Sequence, residues 1–98
     1  MPAKIIPASE PGNLTQALKL LQRGQPVAFP TDTVYGVGAL VNNAGAIQQL
    51  YRIKGRDAAK AIAVLVSDPA DLERITNGMT TSAARLAQRF WPGALTLV

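Results

Sequence analysis

The sequence contains no cysteine and no histidine. No disulfide framework can form, and the sulfur and nitrogen ligands of a zinc site are missing. A histidine general base and a serine–histidine–aspartate triad are excluded within the chain for the same reason. Aromatic residues make up only 5% of the sequence and do not interleave with basic ones, which argues against a stacking platform for single-stranded nucleic acid. No apolar run approaches the roughly 20 residues of a membrane span. The segment Met1–Pro7 has no long apolar stretch of the kind that opens a secretory leader. A cytoplasmic protein is expected. The glycine-rich Lys-Ser/Thr pattern of a P-loop is also missing, so any ATP site here is built differently.

What is present fits one small globular domain spanning 1–98. The apolar fraction, 48%, is ample for a core, and the charged fraction, 16%, is too low for a disordered chain. The formal net charge is +4. A mild basic excess fits nucleotides, phosphates or RNA. No block of five like charges occurs, so the same excess also fits an ordinary solvated surface.

Hydrophobic periodicity divides the chain into alternating strands and helices. Short strands are expected at 4–6, 26–29, 36–41, 61–66 and 94–98. The run Ala61–Val66 is the clearest of them, nearly all apolar and therefore expected to be buried on both faces. Helices are expected from about Asn13 to a stop at Gly24, with Leu14, Ala17, Leu18 and Leu21 on one face. A second runs from a cap at Asn42 or Asn43 to a stop at Gly55, with Ala46, Ile47, Leu50 and Ile53 on one face. A short one opens at Ser67-Asp68-Pro69 and ends at Arg74, and a fourth runs from Thr80 or Thr81 to Phe90. The alternation predicts an α/β fold with a twisted open sheet. The chain stops at Val98 inside an apparent strand. That sets the expectation of the N-terminal part of a larger domain, or of a short form that completes its sheet with another chain.

Three clusters carry chemistry. Pro30-Thr31-Asp32-Thr33-Val34-Tyr35-Gly36 follows the apolar run Pro26–Phe29, and ligands of α/β proteins favour the loop just beyond a strand. In an extended loop, residues 31, 33 and 35 would point the same way. Ordinary capping at a strand end, and partial core packing of Tyr35, are the plainer roles for these residues. Asp32 can meet a cation or simply form the turn. The second cluster is Lys54-Gly55-Arg56-Asp57-Ala58-Ala59-Lys60, whose cations are either solvated charges after a helix or anion ligands. A hydroxyl loop and a cationic loop in one small domain point to a polar ligand bearing anionic groups. The third is Trp91-Pro92-Gly93-x-x-Thr96, in which Trp91 reads as architecture and Thr96 as a ligand contact or a strand residue.

In this order, the three clusters resemble the YrdC/Sua5 family of threonylcarbamoyl-AMP synthases, and the resemblance runs from about Ile5 to Val98. It implies an α/β twisted open sheet with a deep, positively charged cavity. It implies a nucleotidyltransferase that joins L-threonine, bicarbonate or CO2, and ATP into threonylcarbamoyl-adenylate and pyrophosphate, for the t6A modification of tRNA, with magnesium as the accompanying cation. Carried onto this sequence, it makes Lys54 and Arg56 catalytic. It makes Thr31, Thr33, Tyr35, Lys54, Arg56, Lys60 and Thr96 substrate-binding, with no protein-held metal. Arg56, with its paired donors, can bind two oxygens of a phosphate or carboxylate at once. Two departures stand out. Lys60-Ala61-Ile62 replaces the Lys-Pro-Leu that members often carry, and the family's Ser-x-Asn motif lies beyond Val98. Two other readings stay open at this point: an RNA-binding module without catalysis, and an inactive fragment that keeps the fold. The last apolar strand, with one edge open, sets a further expectation of self-association.

Overall fold

A computed structural model describes residues 3–55, 57 and 59–98. The chain divides into two compact units, Met1–Lys60 and Ala61–Val98. In the first, helix α1 (Asn13–Gln22) leads to strand β1 (Val27–Phe29), which pairs antiparallel with β2 (Gly36–Gly38), and helix α2 (Ala44–Lys54) follows. The second holds a short 3-10 helix (Pro69–Arg74) and helix α3 (Thr81–Phe90). Among the described residues the sheet is open and two-stranded, with Val27 opposite Gly38, Ala28 opposite Val37 and Phe29 opposite Gly36.

The helices begin and end where local chemistry dictates. Asn43 Oδ1 accepts from the Ala46 N–H at 2.9 Å, Asp68 Oδ1 from the Ala70 N–H at 2.9 Å, and Thr80 Oγ1 from the Ala83 N–H at 3.1 Å. Each satisfies one of the orphan donors of a first turn. Helix α1 starts without a side-chain cap, after Gly12. It ends in a Schellman motif: the Gly24 N–H donates to Leu21 O at 2.9 Å and the Gln25 N–H to Leu20 O at 3.0 Å, with Gly24 at φ +80°.

Burial is thinner than the composition predicts. Ala46, Leu50 and Ala87 are the buried apolar residues among those described. On α2, Asn43, Ala46, Ile47, Leu50 and Tyr51 form the inward stripe, at helical spacing, while Ile53 is exposed. The stripe on α1 is also rotated from the expected one. Ala17, Leu20 and Leu21 are half-buried, and Leu14 and Leu18 are exposed.

Three expected strands are not formed. Residues 4–6, 61–66 and 94–98 carry no ladder. A strand needs a partner for its N–H and C=O groups, and among the described residues these segments pair with none. The segment 61–66 is not buried on both faces either: Ile62 and Val66 are half-buried, and Leu65 is 80% exposed. Its second unit contributes one α-helix and one 3-10 helix, which cannot supply layers for two faces. The third strand, expected at 36–41, stops at Gly38, and β1 is half-buried with Ala28 exposed.

The hairpin has a specific packing. A Cβ on Gly36 would lie 3.1 Å from Phe29 Cε2, and one on Gly38 would lie 3.1 Å from Phe29 Cε1. The Phe29 ring therefore approaches both glycines of β2 and fills space that their missing side chains leave. An aromatic covering a cross-strand glycine compensates for the entropy that glycine costs a strand.

Candidate active site

Pairing β1 with β2 makes residues Pro30–Tyr35 the loop of a hairpin. The loop is turned, not extended. Thr31 Oγ1 accepts from the Thr33 N–H at 3.2 Å, lies 3.4 Å from Thr33 Oγ1, and donates to the Val34 carbonyl. This is a hydroxyl-closed turn, in which a short side chain substitutes for backbone partners. The two hydroxyls come together through the turn rather than through strand alternation, which corrects the extended-loop expectation. Thr31, Asp32, Thr33, Val34 and Tyr35 are all exposed, and Tyr35 is 75% exposed, so core packing of its ring is overturned.

The cationic cluster opens at the C-terminus of α2. Lys54 is the last helical residue, and Gly55, at φ +59°, turns the chain out of the helix. Arg56 lies outside the described residues. Beyond it, Asp57 Oδ1 accepts from the Ala59 N–H at 2.9 Å, and Asp57 O accepts from the Lys60 N–H at 2.9 Å. The Tyr51 hydroxyl donates to Lys60 O at 2.6 Å. Lys54 and Lys60 are both exposed. Thus α2 positions Lys54 directly and Lys60 through the Tyr51 phenol. Composition and periodicity gave no sign of that contact. A half-buried tyrosine one turn before a glycine stop is the only signal, since its polar tip needs a partner near the helix end.

Thr96 belongs to the second unit and is exposed. The segment around it is held by Trp91, whose Nε1–H donates to Leu95 O at 2.8 Å. Trp91 is half-buried and acts as architecture, as its sequence context predicts. The Trp91–Pro92 peptide bond is cis. A shallow concavity in this unit is lined by Pro69, Leu72, Glu73, Thr76, Asn77, Gly78 and Met79, and its lining holds no cation. It is not the positively charged cavity that the resemblance implies. Among the described residues, no three acidic side chains converge as metal ligands. No helix there is long and apolar enough to cross a membrane.

Residues 19–98 match the family model Sua5/YciO/YrdC, described as telomere recombination. The chain belongs to the Sua5/YciO/YrdC family. Among curated relatives of this Sua5/YciO/YrdC chain, the threonylcarbamoyl-AMP synthase of Bacillus subtilis is 44% identical over 85 residues, covering 87% of this chain and 25% of that protein. The threonylcarbamoyl-AMP synthase of Pyrococcus abyssi is 39% identical over 82 residues, covering 84% of this chain and 24% of that protein. That of Vibrio vulnificus is 38% identical over 88 residues, covering 88% and 47%. A solved structure of P. abyssi Sua5 complexed with L-threonine is similar at a TM-score of 0.75 and 36% identity, over 80% of this chain and 23% of that one. The chain therefore spans about a quarter of the length of the first two relatives and under half of the third. At this identity and TM-score, the open mixed fold described above is that of part of a Sua5 domain.

Proposed function

We propose that this chain carries the threonine- and ATP-facing part of an L-threonylcarbamoyladenylate synthase, within one YrdC-like domain spanning 1–98. The observation that carries the reading is the hairpin loop 30–35. It holds two adjacent hydroxyls and an exposed phenol, in a chain similar to a Sua5 structure determined with L-threonine. The reaction joins L-threonine, bicarbonate or CO2, and ATP, and releases pyrophosphate.

The chemistry requires no protein nucleophile. Adenylation needs an electrophilic α-phosphate, neutralised pyrophosphate charge and an aligned attacking group. A chain without histidine and cysteine can supply all three. Lys54 and Lys60 contribute point charges toward the phosphates, and Arg56 a planar pair of donors toward phosphate or the threonine carboxylate. Thr31, Thr33 and Tyr35 orient the amino acid through their hydroxyls. Because the Thr31 hydroxyl closes its own turn and also lies 3.4 Å from the Thr33 hydroxyl, Tyr35 is the freest ligand of the three. Asp32 would hold the nucleotide's magnesium through a water, and the cation would supply neutralisation of phosphate charge. The product would feed t6A formation on tRNA.

The test is incubation of the chain with ATP, L-threonine, bicarbonate and magnesium, followed by detection of pyrophosphate and the adenylate. Threonine-dependent pyrophosphate release is expected from the chain joined to the remainder of a family domain, and weak or no release from the chain alone. If neither this chain nor the chain joined to the remainder of a family domain releases it, the reading is wrong.

A further inference from the structure

We propose that Tyr51 is a positioning residue for the anion site, acting through Lys60. The inference rests on the ATP-binding reading above. Its observation is the Tyr51 hydroxyl donating to Lys60 O at 2.6 Å, across nine residues of sequence.

The loop after α2 leaves the helix at Gly55, where the left-handed backbone reverses its direction. Its other polar contacts among the described residues are local: the Gly55 N–H to Arg52 O, the Ala59 N–H to Asp57 Oδ1, and the Lys60 N–H to Asp57 O. Such contacts shape a turn but do not say where the turn sits against the helix. The Tyr51 bond does. Tyr51 is half-buried on the same helical stripe as the buried Leu50, which gives its exposed hydroxyl bond a packed base. A cation at the end of a loop loses conformational entropy when it binds an anion, and a loop already pinned loses less. The phenol therefore restrains the Lys60 backbone relative to Lys54, three residues beyond Tyr51 on the same helix. Tyr51 touches neither ligand nor reacting atoms in this scheme.

The experiment measures ATP affinity by calorimetric titration of the wild-type chain, Tyr51→Phe, Lys60→Gln and the double variant. Tyr51→Phe keeps the ring and its packing and removes only the hydroxyl. It is expected to raise the Kd for ATP by roughly three- to tenfold, the effect of one hydrogen bond. In the Lys60→Gln background the same change is expected to cost nothing further, because Tyr51 acts through Lys60. An equal loss in both backgrounds means a general structural role and overturns the proposal, as does an unchanged Kd in Tyr51→Phe. A wild-type chain that binds no ATP overturns the nucleotide reading itself, and this proposal with it. Normal wild-type binding with an indifferent Tyr51→Phe overturns the positioning role alone.

Discussion

The two loops assigned to the site are held in different ways. Residues 30–35 connect two paired strands, so the ladder fixes both ends, and Thr31 closes the interior with contacts to Thr33 and Val34. Residues 55–60 are fixed by a helix at one end only. At the other end, the Tyr51 bond ties Lys60 back to that helix before the chain continues into a segment without a ladder. Preorganisation is thus distributed in the hydroxyl loop and concentrated in the cationic loop. Removing a single group should disturb the second more than the first.

The largest expected effect breaks the cationic side. Arg56→Ala should reduce transition-state stabilisation by about 2–4 kcal/mol in pyrophosphate release, and lysine should rescue poorly because the paired donors are lost. Near-wild-type turnover would remove Arg56 from the site. Next, Leu50→Ala should destabilise the first unit by about 2–3 kcal/mol, since Leu50 is the largest of the buried apolar residues. Amide exchange after this change should rise in 54–60 more than in 30–35; equal rises would erase the contrast between the loops. Thr31→Val should cost about 1 kcal/mol in denaturant titration, as the turn loses its hydroxyl bonds while the strands still hold its ends. A loss near 3 kcal/mol would mean that the turn nucleates the hairpin. The smallest effect sharpens the comparison. Thr33→Val should raise the KM for threonine a few-fold and leave that for ATP unchanged, because the exposed hydroxyl, while donating to Thr31, can still accept a hydrogen bond from substrate. An equal rise in both would assign Thr33 to loop structure.

The helices were legible because their determinants are local. Asn43, Asp68 and Thr80 stand where caps are required, and Gly24 and Gly55 stand where left-handed residues are required. The strands were not, because apolar content does not specify a partner. Ala61–Val66 has all the composition of a buried strand, yet Leu65 is largely exposed. The helix faces were legible only to within a rotation of about one residue, since Leu18 and Leu20 are equally apolar and only the neighbouring strand decides between them. In the site, residue types and order pointed to both loops. The turn made by Thr31 and the phenol bond made by Tyr51 were hidden, because each depends on how the chain folds back rather than on which residues it contains.

The position of Trp91 has an optical consequence. It is the only tryptophan of the chain and lies in the second unit, while both tyrosines, Tyr35 and Tyr51, lie in the first. Emission excited selectively at the indole therefore originates in residues 61–98. Tyrosine absorbance reports residues 1–60. The Nε1–H bond to Leu95 O makes the indole signal sensitive to release of the C-terminal segment. Unfolding followed at both chromophores will give coincident curves only if the two units melt together.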